Sequence, residues 1–164
     1  MAERLLANAS VGEIRDLIVT EAATVGPDAE IVDALRKMLD DLRTRHVYVV
    51  DERGVLIGSL RLNAVTAYLF PYTSASDVDT IPPTGRMLAA ISARKVGDIM
   101  NVSPRYVRDG HLVPEVVRIM CEEGINELPV VDGERRVVGE VSFLEIVAAY
   151  LKELERSGRA GDAG

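Results

Sequence analysis

The sequence is poor in the residues on which most catalytic and metal sites depend. Its 164 residues include two histidines, one cysteine and no tryptophan, and aromatic residues make up only 4%. It contains no P-loop, no nucleophile elbow, no HExxH helix and no cluster of cysteines and histidines. The core must therefore be largely aliphatic. We expect a protein that is not an enzyme and that has no metal site.

Positive charge is also scarce. Lysine and arginine total 19 against 26 acidic residues, which gives a net charge of −7. Nucleic acids and anionic membranes both require a clustered positive surface. No apolar run approaches the length of about 18 residues that suggests a membrane span, and MAERLLANAS is too weakly apolar for a signal peptide. We expect a cytoplasmic protein with neither a nucleic acid nor a membrane as partner.

The most informative feature that is present is an internal repeat. RTRHVYVVDERGVLIG ends at Gly58, and NELPVVDGERRVVG ends at Gly139. At an offset of 82, Val25 pairs with Val107 and Met38 with Met120; beyond the helix the offset becomes 81. Further upstream VGEI at 11–14 matches VGDI at 96–99. One copy would leave apolar surface uncovered, and two copies can bury it together.

Each copy has the same predicted order of elements. A short helix is expected near 11–18 and 96–100, with Ser10 and Glu13 forming a capping box in the first. An extended piece and an amphipathic helix follow. Two β-branched runs then form a hairpin, 46–50 with 55–60 and 127–131 with 136–141, before a final helix at 62–70 and 143–155.

Apolar stripes identify the core face of each amphipathic helix. The predicted stripes are Ile31, Leu35, Met38, Leu39 and Leu42 in copy one, and Val113, Val117, Met120 and Cys121 in copy two. Cys121 is therefore expected to be a buried, inert thiol. The prediction is an α+β (α/β) fold of two β-α-β-β-α repeats with pseudo-two-fold symmetry. Its parts are a first repeat over 1–70, a linker insertion over 71–94, a second repeat over 95–154 and a disordered tail over 155–164.

This pattern resembles the CBS domain family, in the tandem arrangement called a Bateman module. The resemblance lies in VGDIM before the first strand, LPVVD in the second strand and a Gly-hydrophobic-Ser end to the third. The first copy, YVVDERGVLIGSLRL, is also similar to the cytoplasmic CBS module of magnesium transporters. The family implies regulation through an adenosyl ligand, bound in clefts between the copies, and a homodimer built from helices.

The resemblance also implies which residues contact the ligand. A Ser/Thr and an acid three residues later hold the ribose, which selects Ser142 and Glu145; copy one has Arg61 and Ala64 instead. The position that the resemblance places beside the phosphates of a ligand is basic in copy one, whereas in copy two it is the acidic Glu127. The implied ligand-binding residues are Ser103, Pro104, Arg105, Leu128, Pro129, Ser142 and Glu145, and the possible first-cleft residues are Arg45, His46 and Arg61.

Simpler roles compete for several of these residues. Glu145 could belong to a solvated helix face, and Ser142 could be a helix N-cap. His46 and His111 are expected at the surface. The acid pairs Asp40-Asp41 and Glu122-Glu123 are expected to face solvent rather than to bind metal. In the insertion, Thr84 could cap a short helix whose apolar stripe is Met87, Leu88 and Ile91.

The leading hypothesis is a stand-alone regulatory module that senses an adenosyl compound (AMP, ADP, ATP, S-adenosylmethionine or a relative) and signals through a homodimer to a regulated protein. No permanent cofactor is expected. The first alternative is a structural dimerisation module with empty clefts. The second is a divalent-cation sensor responding to Mg²⁺, by analogy with the transporters.

Overall fold

The computed structural model describes residues 6–18, 21–40, 45–69 and 93–161. The predicted insertion helix, with Thr84, Met87, Leu88 and Ile91, lies outside these residues, as does Leu42. The helices are α1 Val11–Ile14, α2 Ile31–Asp40, α3 Leu62–Leu69, α4 Val96–Ile99, α5 Val113–Glu123 and α6 Phe143–Gly161. The strands are β1 Thr24–Val25, β2 His46–Val50, β3 Leu56–Arg61, β4 Glu127–Val131 and β5 Val137–Ser142. The mixed α+β fold is as predicted.

The chain divides into two compact units. Unit A is Ala23–Pro104, and unit B combines Met1–Ala22 with Arg105–Gly164. The units therefore exchange the short helices of the two sequence repeats: α4 belongs to unit A and α1 to unit B. None of the helices in the described ranges is long and apolar enough to cross a membrane.

Unit A is built on a three-stranded sheet of order β1-β2-β3, in which β1 runs parallel to β2 and β3 antiparallel. Its core is a cluster of short aliphatic side chains together with Met38, which is 5% exposed as predicted. Helix α2 buries Ile31, Ala34 and Met38. The predicted stripe was wrong at Leu39, which is 70% exposed, because the buried face follows the i, i+3, i+7 spacing through the small Ala34.

Unit B repeats this plan with the antiparallel hairpin β4–β5. Helix α5 buries Val113, Val116 and Met120 and ends at Gly124, whose φ of 61° is the left-handed conformation common after helices. Cys121 is exposed, so the prediction of a buried thiol was wrong. Its neighbour Met120 occupies the buried face instead, one helix position away. Helix α6 continues to Gly161, through most of the predicted tail.

The short helices dock in the same way in both units. In unit B, the backbone N–H groups of Val11 and Gly12 donate to the carbonyls of His111 and Asp109, at 2.9 and 3.0 Å. In unit A, Val96 and Gly97 donate to Ala29 and Pro27, at 2.9 and 2.8 Å. These are repeat-equivalent positions. A Cβ at Gly97 would lie 3.0 Å from the Pro27 oxygen, which is tighter than an ordinary van der Waals contact, so the close approach favours glycine.

An acidic residue in the first helical turn caps four of the helices. In α1, the Glu13 carboxylate accepts hydrogen bonds from the Ser10 N–H at 2.7 Å and from its hydroxyl at 2.8 Å, which confirms the predicted capping box. These bonds lower the pKa of Glu13. Asp98 accepts from the N–H groups of Lys95 and Arg94, and its pKa is lowered for the same reason. Glu115 and Glu145 occupy the same position in α5 and α6.

Candidate functional site

The hairpin of unit B has one apolar face and one polar face. Directly opposed residues of an antiparallel pair share a face, and alternate residues change faces. Leu128 lies opposite Val141, and both belong to the core cluster. Glu127 lies opposite Ser142, and Pro129 lies opposite Glu140. The second face therefore carries Glu127, Pro129, Glu140 and Ser142, and we call it the polar face of unit B.

Ser142 and Glu145 are joined at the point where β5 becomes α6. Glu145 accepts the Ser142 backbone N–H at 2.9 Å and also its hydroxyl, while the Ser142 Oγ accepts the N–H of Leu144 at 3.0 Å. The interpretation of Ser142 as an N-cap is therefore confirmed. Glu145 is fully buried, so the alternative of a solvated helix face was wrong. The capping bonds hold the hydroxyl and the carboxylate in one orientation.

Two further carboxylates are buried on the polar face. Glu127 is 3% exposed and Glu140 is 1% exposed. Because Glu140 precedes Ser142 by two residues, Glu127 and Glu140 are diagonal neighbours across the hairpin. Glu127 was identified from the sequence, and Glu140 was not. Strand alternation was the available signal, since it places residue 140 on the same face as residue 142.

The other ligand-binding residues implied by the sequence are placed differently. The Leu128 side chain packs in the core, on the opposite face from Pro129. Arg105 is exposed, and its Nε donates to Glu123 at 2.8 Å, so its charge is engaged at the end of α5. Ser103 and Pro104 belong to unit A. The residues brought together in unit B are thus Pro129, Ser142 and Glu145.

The equivalent face in unit A carries basic residues, whereas the face in unit B carries acidic ones. His46 lies directly opposite Arg61, and Tyr48 lies opposite Ser59. The His46 and Tyr48 rings are stacked with their centroids 6.2 Å apart. His46 is only 7% exposed, so its prediction as a surface residue was wrong. Arg45 is exposed just before β2, and its carbonyl accepts the N–H of Leu62.

The remaining candidates do not form a site. The His111 Nδ1 accepts the backbone N–H of Arg108 at 3.1 Å and so supports a turn. Glu122 and Glu123 are paired with Arg118 and Arg105. Over the described ranges, no group of three or more His, Cys, Asp or Glu side chains is arranged to hold a metal ion. Asp41 lies outside those ranges.

Comparison with known proteins defines the family. The CBS domain model matches residues 11–70 and 96–152, and the chain belongs to the CBS domain family. An uncharacterised 33.4 kDa protein from Thermofilum pendens is 33% identical over 74% of this chain and 42% of its own length. The magnesium transporter MgtE of Thermus thermophilus is 32% identical over 79% of this chain and 23% of the transporter. The chain thus spans less than half of these two relatives.

Solved structures agree with this assignment. A CBS domain-containing protein from Thermotoga maritima is 27% identical with a TM-score of 0.72, covering 88% of this chain and 96% of that one. The cytosolic domain of the Mg²⁺ channel MgtE, solved in complex with ATP, is 28% identical with a TM-score of 0.57. It covers 79% of this chain and 45% of the MgtE chain. The similarity to a magnesium-transporter CBS module, predicted from the first repeat, is confirmed.

Proposed function

We propose that this protein is a regulatory, non-catalytic module that binds an adenosyl compound through Ser142 and Glu145 and signals through a homodimer. The buried Ser142–Glu145 pair carries the proposal. The MgtE structure in complex with ATP supports the ligand class, because that cytosolic domain is 28% identical to this chain. The cytosolic origin of that domain also supports a cytoplasmic location. The regulated partner would be another protein.

The chemistry of the pair suits a ribose. An ionised carboxylate can accept about four hydrogen bonds, and Glu145 accepts two from Ser142. A ribose presents two neighbouring hydroxyl donors, which a carboxylate can accept together. Because the capping bonds already orient Glu145, little further ordering is required when a ligand binds.

The charge of the polar face selects among adenosyl ligands. Glu127 and Glu140 are buried on the same face as Ser142. A phosphate placed about 5 Å from one ionised carboxylate would be repelled by about 3 kcal/mol at an effective dielectric of about 20. We therefore favour an adenosyl ligand that lacks phosphate or carries a positive charge, such as S-adenosylmethionine, over AMP, ADP or ATP.

Unit A is a weaker candidate for the same chemistry. Ala64 stands where unit B has Glu145, so the equivalent acceptor is missing. Arg61, half-buried opposite His46, occupies the position of Ser142. These basic residues suit an anion better than a ribose. The proposal therefore assigns one adenosyl ligand to each chain.

Calorimetric titration with S-adenosylmethionine, methylthioadenosine, AMP, ADP and ATP, each with and without Mg²⁺, tests this function. We expect one site per chain and tighter binding of S-adenosylmethionine than of any nucleotide. No binding by any member of the panel would favour a structural dimerisation module. A rise in the melting temperature when Mg²⁺ is added without any nucleotide would favour the cation sensor.

The homodimer is supported by an exposed stripe on α6. Leu144, Val147, Leu151 and Leu154 are between 38% and 53% exposed. Their 3-4-3 spacing is that of heptad a and d positions. In an antiparallel pair of α6 helices, Leu144 would face Leu154 and Val147 would face Leu151 of the second copy. This self-complementarity is what a two-fold axis requires, and we assign the stripe to a second copy of the chain.

Replacement of one stripe residue tests the assembly. We expect wild type to sediment as a dimer at micromolar concentration and Leu151→Glu to sediment as a monomer with a similar melting temperature. Lys152→Glu changes the adjacent exposed residue and should remain dimeric. A wild-type protein that stays monomeric at every concentration would contradict the dimer.

A further inference from the structure

Leu144 belongs both to the cap at the start of α6 and to the exposed stripe on that helix. Its backbone N–H donates to the Ser142 Oγ at 3.0 Å. Its side chain is 47% exposed and begins the stripe that ends at Leu154. The next residue, Glu145, is fully buried and accepts the N–H of Ser142 at 2.9 Å. One residue of α6 therefore connects the proposed ribose-binding pair with the proposed dimer contact.

Helix geometry explains this double position. Consecutive residues of an α-helix point about 100° apart, so Leu144 can face solvent while Glu145 is buried. The first N–H groups of a helix have no carbonyl partner within it, and the Ser142 Oγ supplies one for Leu144. The backbone of Leu144 is therefore held by the same two side chains that form the ligand pair.

The cap and the stripe occur together only in the second of the two repeats. Asn63 and Ala64 stand where the second repeat has Leu144 and Glu145. Helix α3 has 8 residues, whereas α6 has 19. The first repeat thus lacks both the carboxylate of the pair and the first leucine of the stripe. Joint presence in one repeat and joint absence from the other are what we expect of two features that act together.

We propose that ligand binding at Ser142–Glu145 and dimerisation through the α6 stripe strengthen each other through the first turn of α6. This inference rests on the proposed function. A ligand that donates to Glu145 holds its carboxylate, and the bonds of that carboxylate to Ser142 hold the turn that contains Leu144. A second copy holds the same turn from outside, by packing its Leu154 on Leu144. Both events order the same few residues, so whichever comes first lowers the ordering cost of the other.

Sedimentation of the full chain with and without saturating S-adenosylmethionine measures this coupling. We expect the dimer dissociation constant to fall at least about fivefold when the ligand is present. Linkage is reciprocal, so S-adenosylmethionine should bind the monomeric Leu151→Glu variant more weakly than it binds the wild-type dimer. The weakening per site should be about the square root of the effect on the dimer, because one dimer holds two ligands.

Two stripe variants separate the coupling from the dimer contact itself. Leu144→Ala and Val147→Ala each remove apolar area, so both should weaken the dimer in the absence of ligand. S-adenosylmethionine should strengthen the Val147→Ala dimer by the wild-type factor and the Leu144→Ala dimer by less than about twofold. Melting temperatures close to that of wild type would show that both variants are folded.

The outcomes distinguish this inference from the proposed function. If S-adenosylmethionine binds but leaves the dimer dissociation constant unchanged or raises it, the coupling is wrong and the ligand site stands. A Leu144→Ala dimer that responds to the ligand as strongly as wild type would also contradict a role for the first turn. If S-adenosylmethionine does not bind, or if wild type stays monomeric with the ligand present, the proposed function and this inference fail together.

Discussion

The side chain of Arg15 occupies the space that a side chain at Gly139 would need. Its Nη1 lies 2.7 Å from the position of a Cβ on Gly139 and donates to the Val138 carbonyl at 3.0 Å. Asp109 holds the same guanidinium at 2.8 Å. The repeat-equivalent Gly58 has the same relationship with Met100, whose Sδ lies 2.5 Å from a Cβ there. Each strand glycine thus accommodates the residue that follows a short helix.

A double-mutant cycle measures this relationship. Gly139→Ala should destabilise the protein by about 1–3 kcal/mol, because the anchored Arg15 must move. In an Arg15→Ala background most of that cost should disappear, since the obstructing side chain is gone. Urea denaturation of the four proteins gives the coupling energy. If the changes in unfolding free energy are additive, moving the Arg15 side chain away from Gly139 costs no free energy.

Adjacent positions on α5 test which helix face is buried. Met120 is fully buried and Cys121 is exposed. Met120→Asp should therefore unfold the protein, because it places a carboxylate in the core. Cys121→Asp should change the melting temperature little. In α2, Met38→Asp and Leu39→Asp form the same matched pair. Similar circular-dichroism melting curves within either pair would contradict the assigned face.

The Ser142–Glu145 pair predicts which substitutions weaken ligand binding. Glu145→Gln retains a capping oxygen but loses the charge, so binding of S-adenosylmethionine should weaken at least about tenfold. Ala64→Asp should not create a second site in unit A, because Arg61 remains. Calorimetry on both variants, with melting temperatures as a folding control, provides the measurement. Two equivalent sites in wild type, or binding abolished by Arg61→Ala alone, would move the ligand to unit A.

The lowered pKa of Asp98 predicts that the protein loses part of its folding stability at acidic pH. The N–H groups of Lys95 and Arg94 lower its pKa in the folded state. A carboxyl with a lowered pKa stabilises the fold fully above its unfolded value and loses that contribution as pH falls through the folded value. The Asp98→Asn variant should therefore be less stable at neutral pH and lose less stability between about pH 5 and pH 2. Parallel curves for variant and wild type in urea denaturation would contradict this role.

Local chemistry made much of the fold predictable. The Ser10–Glu13 capping box involves residues three apart and needs no tertiary partner. Both hairpins were predictable because each joins two β-branched runs through a short charged turn, and duplication confirmed the pattern. The same duplication aligned Met38 with Met120 and identified both as core residues. The CBS assignment followed from the order and duplication of these elements.

Tertiary packing decided what local patterns left open. The predicted stripe on α5 included Cys121 and left out Val116, whereas the folded helix exposes Cys121 and packs Val116 in the core cluster. The exchange of α1 and α4 between units depends on backbone bonds to residues far along the chain, which repeat spacing does not reveal. Burial of Glu127, Glu140 and Glu145 is likewise a tertiary property. A charged residue in a sequence predicts exposure, and only the folded chain supplies the bonds that keep it buried.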